Sequence, residues 1–133
     1  MGRRVLLLVA LVALLIPARA VAAPITAKVA ATIQAKPHPQ VYCEECIRFS
    51  GRVSSPKAVC RAKRRLESAT TYKAGSPNAG KVYRDPDFLS TDGQGKWNVV
   101  IGSGEPLAWL EVIVPKERIG RVICQAARAK VTL

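Results

Sequence analysis

Four cysteines, one histidine, nine carboxylates and two tryptophans are the side chains with which this chain of 133 residues could do chemistry. Cys43-Glu-Glu-Cys46 has the spacing of an exchangeable dithiol. Such pairs work where a strand feeds a helix, whose N-terminus lowers the pKa of the attacking thiol. No helical period follows Cys46, so a static bridge at the entry to a strand is the plainer reading. A zinc site drawing on His38 and Cys60 would lack the second close pair of a zinc ribbon, because the cysteines stand at 43, 46, 60 and 124. His38 sits between Pro37 and Pro39, with nothing beside it in sequence to orient its ring for a Ser-His-Asp arrangement. Asp85, Asp87 and Asp92 lack the dense oxygen-ligand spacing of a calcium loop and read as solvated turn residues. No catalytic residue, metal or cofactor is therefore expected. Trp97 reads as core, whereas Trp109 reads as outward-facing and so as the ring able to meet a partner.

The elements that would hold these residues are strands. In Ser90-Thr-Asp-Gly-Gln-Gly-Lys-Trp-Asn-Val-Val-Ile101, Asp92 and two glycines make a turn. Trp97, Val99 and Ile101 then alternate with Lys96, Asn98 and Val100, the period of a half-buried strand. Ile47, Phe49, Gly51 and Val53 alternate with Arg48, Ser50 and Arg52 in the same way. A strand is expected from Arg61 to about Thr71, and a short one from Lys81 to Arg84, broken by Asp85-Pro-Asp87. Leu107 to Val114 follows, with Ala108, Leu110, Val112 and Val114 inward, and Pro115 ends it. Arg121 to Leu133 supplies the last strand. Short strands separated by Gly/Pro turns predict an all-β fold, an antiparallel Greek-key β-sandwich of about seven strands. The expected core is Ile47, Phe49, Val53, Leu66, Trp97, Val99, Ile101, Leu110, Val112, Val114 and Val131. Residues 23–42 read either as a linker or as an additional N-terminal strand, and residues 43–133 as the sandwich domain.

The N-terminus predicts export. Arg3 and Arg4 precede an apolar run from Val5 to Ile16, then Pro17 and small residues up to Ala23, the three-part pattern of a signal peptide over residues 1–22. The run falls short of the roughly 20 residues that span a bilayer. Without Arg3, Arg4 and Arg19, 18 of the 21 basic residues remain against 9 acids, leaving a net charge of about +9. A secreted, cell-wall-associated or extracellular basic protein of this kind attracts anionic envelope polymers, lipid head groups or acidic glycans; export argues against nucleic acid. The expected anionic-surface patch is Arg61, Lys63 and Arg65 on one strand face, extended by Arg48 and Arg52, with Arg64 escaping at the sheet's edge.

The order Ser50-Gly-Arg-Val53, Cys60-x-x-x-Arg64, Thr91-Asp-x-x-Gly-x-Trp97, Ala108-Trp-Leu-Glu-Val112 and Cys124 resembles exported actinobacterial β-sandwich domains of the transthyretin-like, or carboxypeptidase-regulatory-like, kind. The resemblance covers residues 47–133 and implies a Greek-key sandwich, a Cys60–Cys124 bridge and a non-catalytic role. That pairing leaves Cys43 with Cys46, one of the three connectivities four cysteines allow. The expected function is a secreted interaction or structural module of the bacterial envelope. Two other readings stand beside it: an exported thiol-redox protein using Cys43 and Cys46, and a secreted inhibitor presenting the loop from Ala74 to Gly80.

Overall fold

The structure, a computed structural model, describes residues 22–133. The expected export signal therefore lies outside the described residues, save for Ala22. Ten strands and one 3-10 turn (Ala58–Cys60) make up the rest. The strands are β1 (Ile25–Ala27), β2 (Ala30–Pro37), β3 (Ile47–Ser54), β4 (Arg65–Tyr72), β5 (Tyr83–Ser90), β6 (Lys96–Ile101), β7 (Leu107–Val114), β8 (Glu117–Ile119), β9 (Val122–Cys124) and β10 (Ala127–Thr132).

Seven of them form an antiparallel sandwich, a three-stranded sheet in the order β2-β3-β6 facing a four-stranded one in the order β10-β7-β4-β5. The chain crosses between sheets after β3, after β5 and again after β6, yet β3 pairs with β6 and β4 with β7. That interlocking is the Greek key. It forces the alternating apolar positions of both sheets to face each other. Phe49 and Val53 from β3 and Trp97 from β6 meet Leu66 from β4 and Leu107, Leu110, Val112 and Val114 from β7. Ile47, Val99, Ile101 and Val131 pack around them half-buried.

The remaining strands make a small sheet, β1-β9-β8, with β1 parallel to β9. Its own core is Ala27 with Cys60 and Cys124, flanked by Val29, Ile119 and Val122. The Cys60–Cys124 disulfide ties the 3-10 turn to β9 across a separation of 64 residues, and Cys43–Cys46 closes a loop before β3. No helix among the described residues is long and apolar enough to cross a membrane.

Of the two readings of residues 23–42, the strand is the one found: Ile25–Ala27 and Ala30–Pro37 are strands, and Ala31, Ile33 and Ala35 turn inward from β2 and pair with Val53, Gly51 and Phe49. Three local expectations need correction. The second large strand starts at Arg65, not Arg61, because residues 58–63 wind into the 3-10 turn and a following turn in which Lys63 takes φ 50°. β5 continues past Asp85-Pro-Asp87 rather than ending there, but its register to β4 shifts at that point, Leu66 facing Leu89 and Ser68 facing Asp85, since an edge strand takes proline at a bulge. At the start of β7 the β4–β7 register shifts at Thr71/Tyr72, so Leu107 rather than Ala108 is buried.

Candidate functional site

The outer face of the β2-β3-β6 sheet is built from the residues that the core alternation sends outward. On β2 these are Thr32, Gln34 and Lys36; on β3, Arg48, Ser50, Arg52 and Ser54; on β6, Lys96, Asn98 and Val100. Register brings the cations together across strands. Lys36 stands opposite Arg48, and Arg52 stands opposite Lys96 on one side and Thr32 on the other. None of these outward positions is acidic. Thr32 Oγ1 accepts from the Arg52 N–H at 3.1 Å and so locks the β2–β3 edge. His38 extends the row, its Nε2 lying 3.3 Å from an Arg48 guanidinium nitrogen. Each cation is exposed, and between them lie small polar side chains able to bond a polyanion's oxygens.

At the Arg52 end the face runs into an open cavity of about 450 Å³ lined by Arg52, Ser54, Ser55, Arg61, Gly93 and Gln94. Arg61 is half-buried there, and its Nη1 donates to the Ser55 carbonyl at 2.9 Å. Next to Gly93 in the β5–β6 turn stands the carboxylate of Asp92. Its Oδ1 accepts from the Gln94 and Lys96 N–H groups at 2.8 and 2.9 Å. Those two backbone bonds, with Lys96 and Arg52 nearby, hold its carboxyl below the usual carboxylate range. Asp92 is thus a structural anion spent on its own turn.

The structure divides the five expected surface residues. Arg48 and Arg52 share the outer face, and Arg61 joins them at its end. Lys63 lies in the preceding turn, with its N–H bonded to the Asp92 carbonyl. Arg65 belongs to the other sheet, where it lies 3.8 Å from Glu67 and 3.6 Å from Asp87. The stripe expected on one strand therefore does not form, because the turn at residues 61–63 breaks its period. Sequence reading missed Lys36 and Lys96, which only the β2–β3–β6 register places beside the arginines.

Arg64 is corrected as well. It does not escape at the edge: it is 1% exposed, the largest fully buried side chain. Its Nη1 and Nη2 donate to the Cys60 and Pro115 carbonyls at 3.1 and 2.6 Å, and Nε lies 3.3 Å from Glu117. Burial lowers its pKa, and Glu117 opposes that shift. Arg64 is the pin between the 3-10 turn and the small sheet.

The other candidates fall as follows. The Cys43–Cys46 disulfide sits directly over Gly102, where an added Cβ would come within 2.6 and 2.8 Å of the two sulfurs. β3 begins at Ile47, so no helix N-terminus faces either sulfur. Loop residue Asn78 is fastened by its side chain to Glu105 at 3.0 Å. Trp97 is core, edge-on to Phe88. Trp109 lies on the outer face of the four-stranded sheet with the Lys130 ammonium 4.1 Å from its ring centroid. Asp85 and Asp87 are exposed on β5, Asp85 Oδ1 accepting from the Asp87 N–H. Among the described residues no three His, Cys, Asp or Glu side chains gather in a way that would hold a metal ion. Comparison with family models, with curated proteins and with solved structures returns no match to the chain.

Proposed function

We propose that this protein is an exported, non-catalytic binding module of the cell envelope, and that the outer face of β2-β3-β6 holds anionic polymers or anionic head groups. The observation that carries the reading is the cross-strand set Lys36, Arg48, Arg52 and Lys96, with Arg61 at its end and no acid at the outward positions of the three strands. A net charge of about +9, from the 18 basic residues left without Arg3, Arg4 and Arg19 against 9 acids, supplies the long-range attraction. Two disulfides suit an oxidising compartment, and the signal-like N-terminus supplies the route. The resemblance to transthyretin-like domains contributes a non-catalytic precedent and names no ligand.

The test is a titration of the purified protein with dextran sulfate, and separately with vesicles that contain or lack an anionic lipid, at several salt concentrations. Binding falls steeply as salt rises, because exposed charges are screened over about 8 Å at physiological ionic strength. Arg48→Ser with Arg52→Ser weakens it, whereas Arg65→Ser, already occupied by Glu67 and Asp87, changes it little. Salt-independent binding, or equal losses from both variants, would remove the face from consideration.

A further inference from the structure

The two sandwich sheets leave four edges, and three of them are closed or guarded. β2 and β10 run beside each other. β5 carries Pro86 among Arg84, Asp85 and Asp87, all exposed. Proline and charge are the devices by which natural sheets prevent edge pairing. β6 has neither beyond its first residue: after Lys96 it reads Trp-Asn-Val-Val-Ile. Among the described residues it pairs with β3 alone.

Register tells which of its backbone groups are open. The Val53 N–H donates to the Gly95 carbonyl at 2.8 Å. Antiparallel alternation then makes Trp97, Val99 and Ile101 the residues bonded to Gly51, Phe49 and Ile47. Lys96, Asn98 and Val100 turn their N–H and C=O groups away from β3. Those of Lys96 are taken by the turn: its N–H donates to Asp92 Oδ1 and its carbonyl accepts from the Asp92 N–H at 2.8 Å. Asn98 and Val100 keep an open donor and acceptor each, and Gly102, next in the same phase, makes no backbone bond among the described residues.

We propose that this edge is a homodimer interface, in which β6 pairs antiparallel with β6 of a second copy about a two-fold axis at Val100. In that register Val100 faces Val100, Val99 faces Ile101 and Asn98 faces Gly102. Lys96 lies opposite Gly104, so no like charges meet. The centre of the edge is its own complement, Val99 opposite Ile101 on one face and Val100 opposite Val100 on the other, which is what an isologous interface requires and a foreign strand does not. Val99 and Ile101 are half-buried in the single chain. Ile101 also lines the opening between the sheets with Tyr72, Tyr83, Phe88 and Leu107, and a neighbouring strand would cover it. Pairing joins the two three-stranded sheets into one and sets their cationic faces side by side. That last consequence uses the proposed binding face; the dimer itself does not depend on it.

Sedimentation of the purified protein across a concentration series, with amide hydrogen exchange on the same samples, tests this. The mass should rise from one chain to two. In step, exchange at Asn98, Val100 and Gly102 should slow, while that at Trp97, Val99 and Ile101, already bonded to β3, stays unchanged. Val100→Pro removes an edge N–H without touching the β3 ladder, and Val100→Lys sets two like charges opposite each other. Both variants should remain single chains, with circular dichroism showing the strands retained; should the proline variant not fold, the lysine variant decides. A protein that stays one chain at every concentration overturns the proposal, as does a dimer that survives in the variants or protects other amides instead.

Discussion

Arg64 and Glu117 form an ion pair with one partner enclosed and the other half in water: Nε lies 3.3 Å from Oε2, with side-chain exposures of 1% and 48%. The guanidinium is held mainly by the carbonyls of Cys60 and Pro115, so its partners are fixed backbone rather than a mobile carboxylate. A planar fork can donate to two fixed carbonyls at once, which an ammonium does less well, while Nε lies near Glu117 without a hydrogen bond to it.

Arg64→Met is expected to cost about 3 kcal/mol, because it leaves the Cys60 and Pro115 carbonyls without their donors, at about 1–3 kcal/mol for each buried acceptor. Arg64→Lys should recover only part of it. Glu117→Gln should cost about 1 kcal/mol or less, since half-exposed pairs are screened. Urea unfolding of the three variants checks the order.

Trp97 and Gly51 are coupled. A Cβ on Gly51 would lie 2.8 Å from the Trp97 ring and would overlap the Thr32 carbonyl oxygen. Trp97→Ala should cost about 3–5 kcal/mol as a buried aromatic truncation. Gly51→Ala should also destabilise, and the Trp97→Ala background should not rescue it, because the backbone clash with Thr32 remains. A double-mutant cycle by thermal unfolding reads this.

Removing the Cys60–Cys124 bond, which closes a loop of 64 residues, is expected to lower stability by about 4 kcal/mol on the chain-entropy estimate, and removing Cys43–Cys46 by about 2 kcal/mol. Gly102→Ala should weaken the protein while the short disulfide is present and much less once both of its cysteines are alanine, because the sulfurs are what the new methyl meets. Denaturation midpoints across that set decide it.

Asp92 sets an acid dependence. Its folded pKa lies below the unfolded value, for which the Lys96 and Gln94 backbone bonds are the first causes. The contribution is therefore present above the ordinary carboxylate pKa of about 4 and is lost as pH falls through the lower folded value. Asp92→Asn should flatten stability against pH across that interval and loosen the β5–β6 turn. Chemical-shift titration of Asp92, with unfolding midpoints at several acid pH values, follows both.

What the chain alone determined is the class of fold and most of its inward set. Alternation at Ile47–Val53 and Trp97–Ile101 survives because a half-buried strand needs one apolar face whatever covers it, and the glycine and proline turns between such runs leave room only for short strands. Which residues share a surface was not legible in one dimension. Lys36, Arg48, Arg52 and Lys96 are separated in sequence and meet only through the β2-β3-β6 register. The Arg61–Arg65 run, adjacent in sequence, is scattered because residues 58–63 wind into turns drawn against β9 by Cys60–Cys124. Arg64 is buried for the same reason: tertiary packing brought two carbonyls to its guanidinium and a carboxylate of opposite charge near it, which together let the charge leave water. Strand period is local physics, whereas the neighbours that make a surface, or admit a buried cation, are decided only when distant strands close on each other.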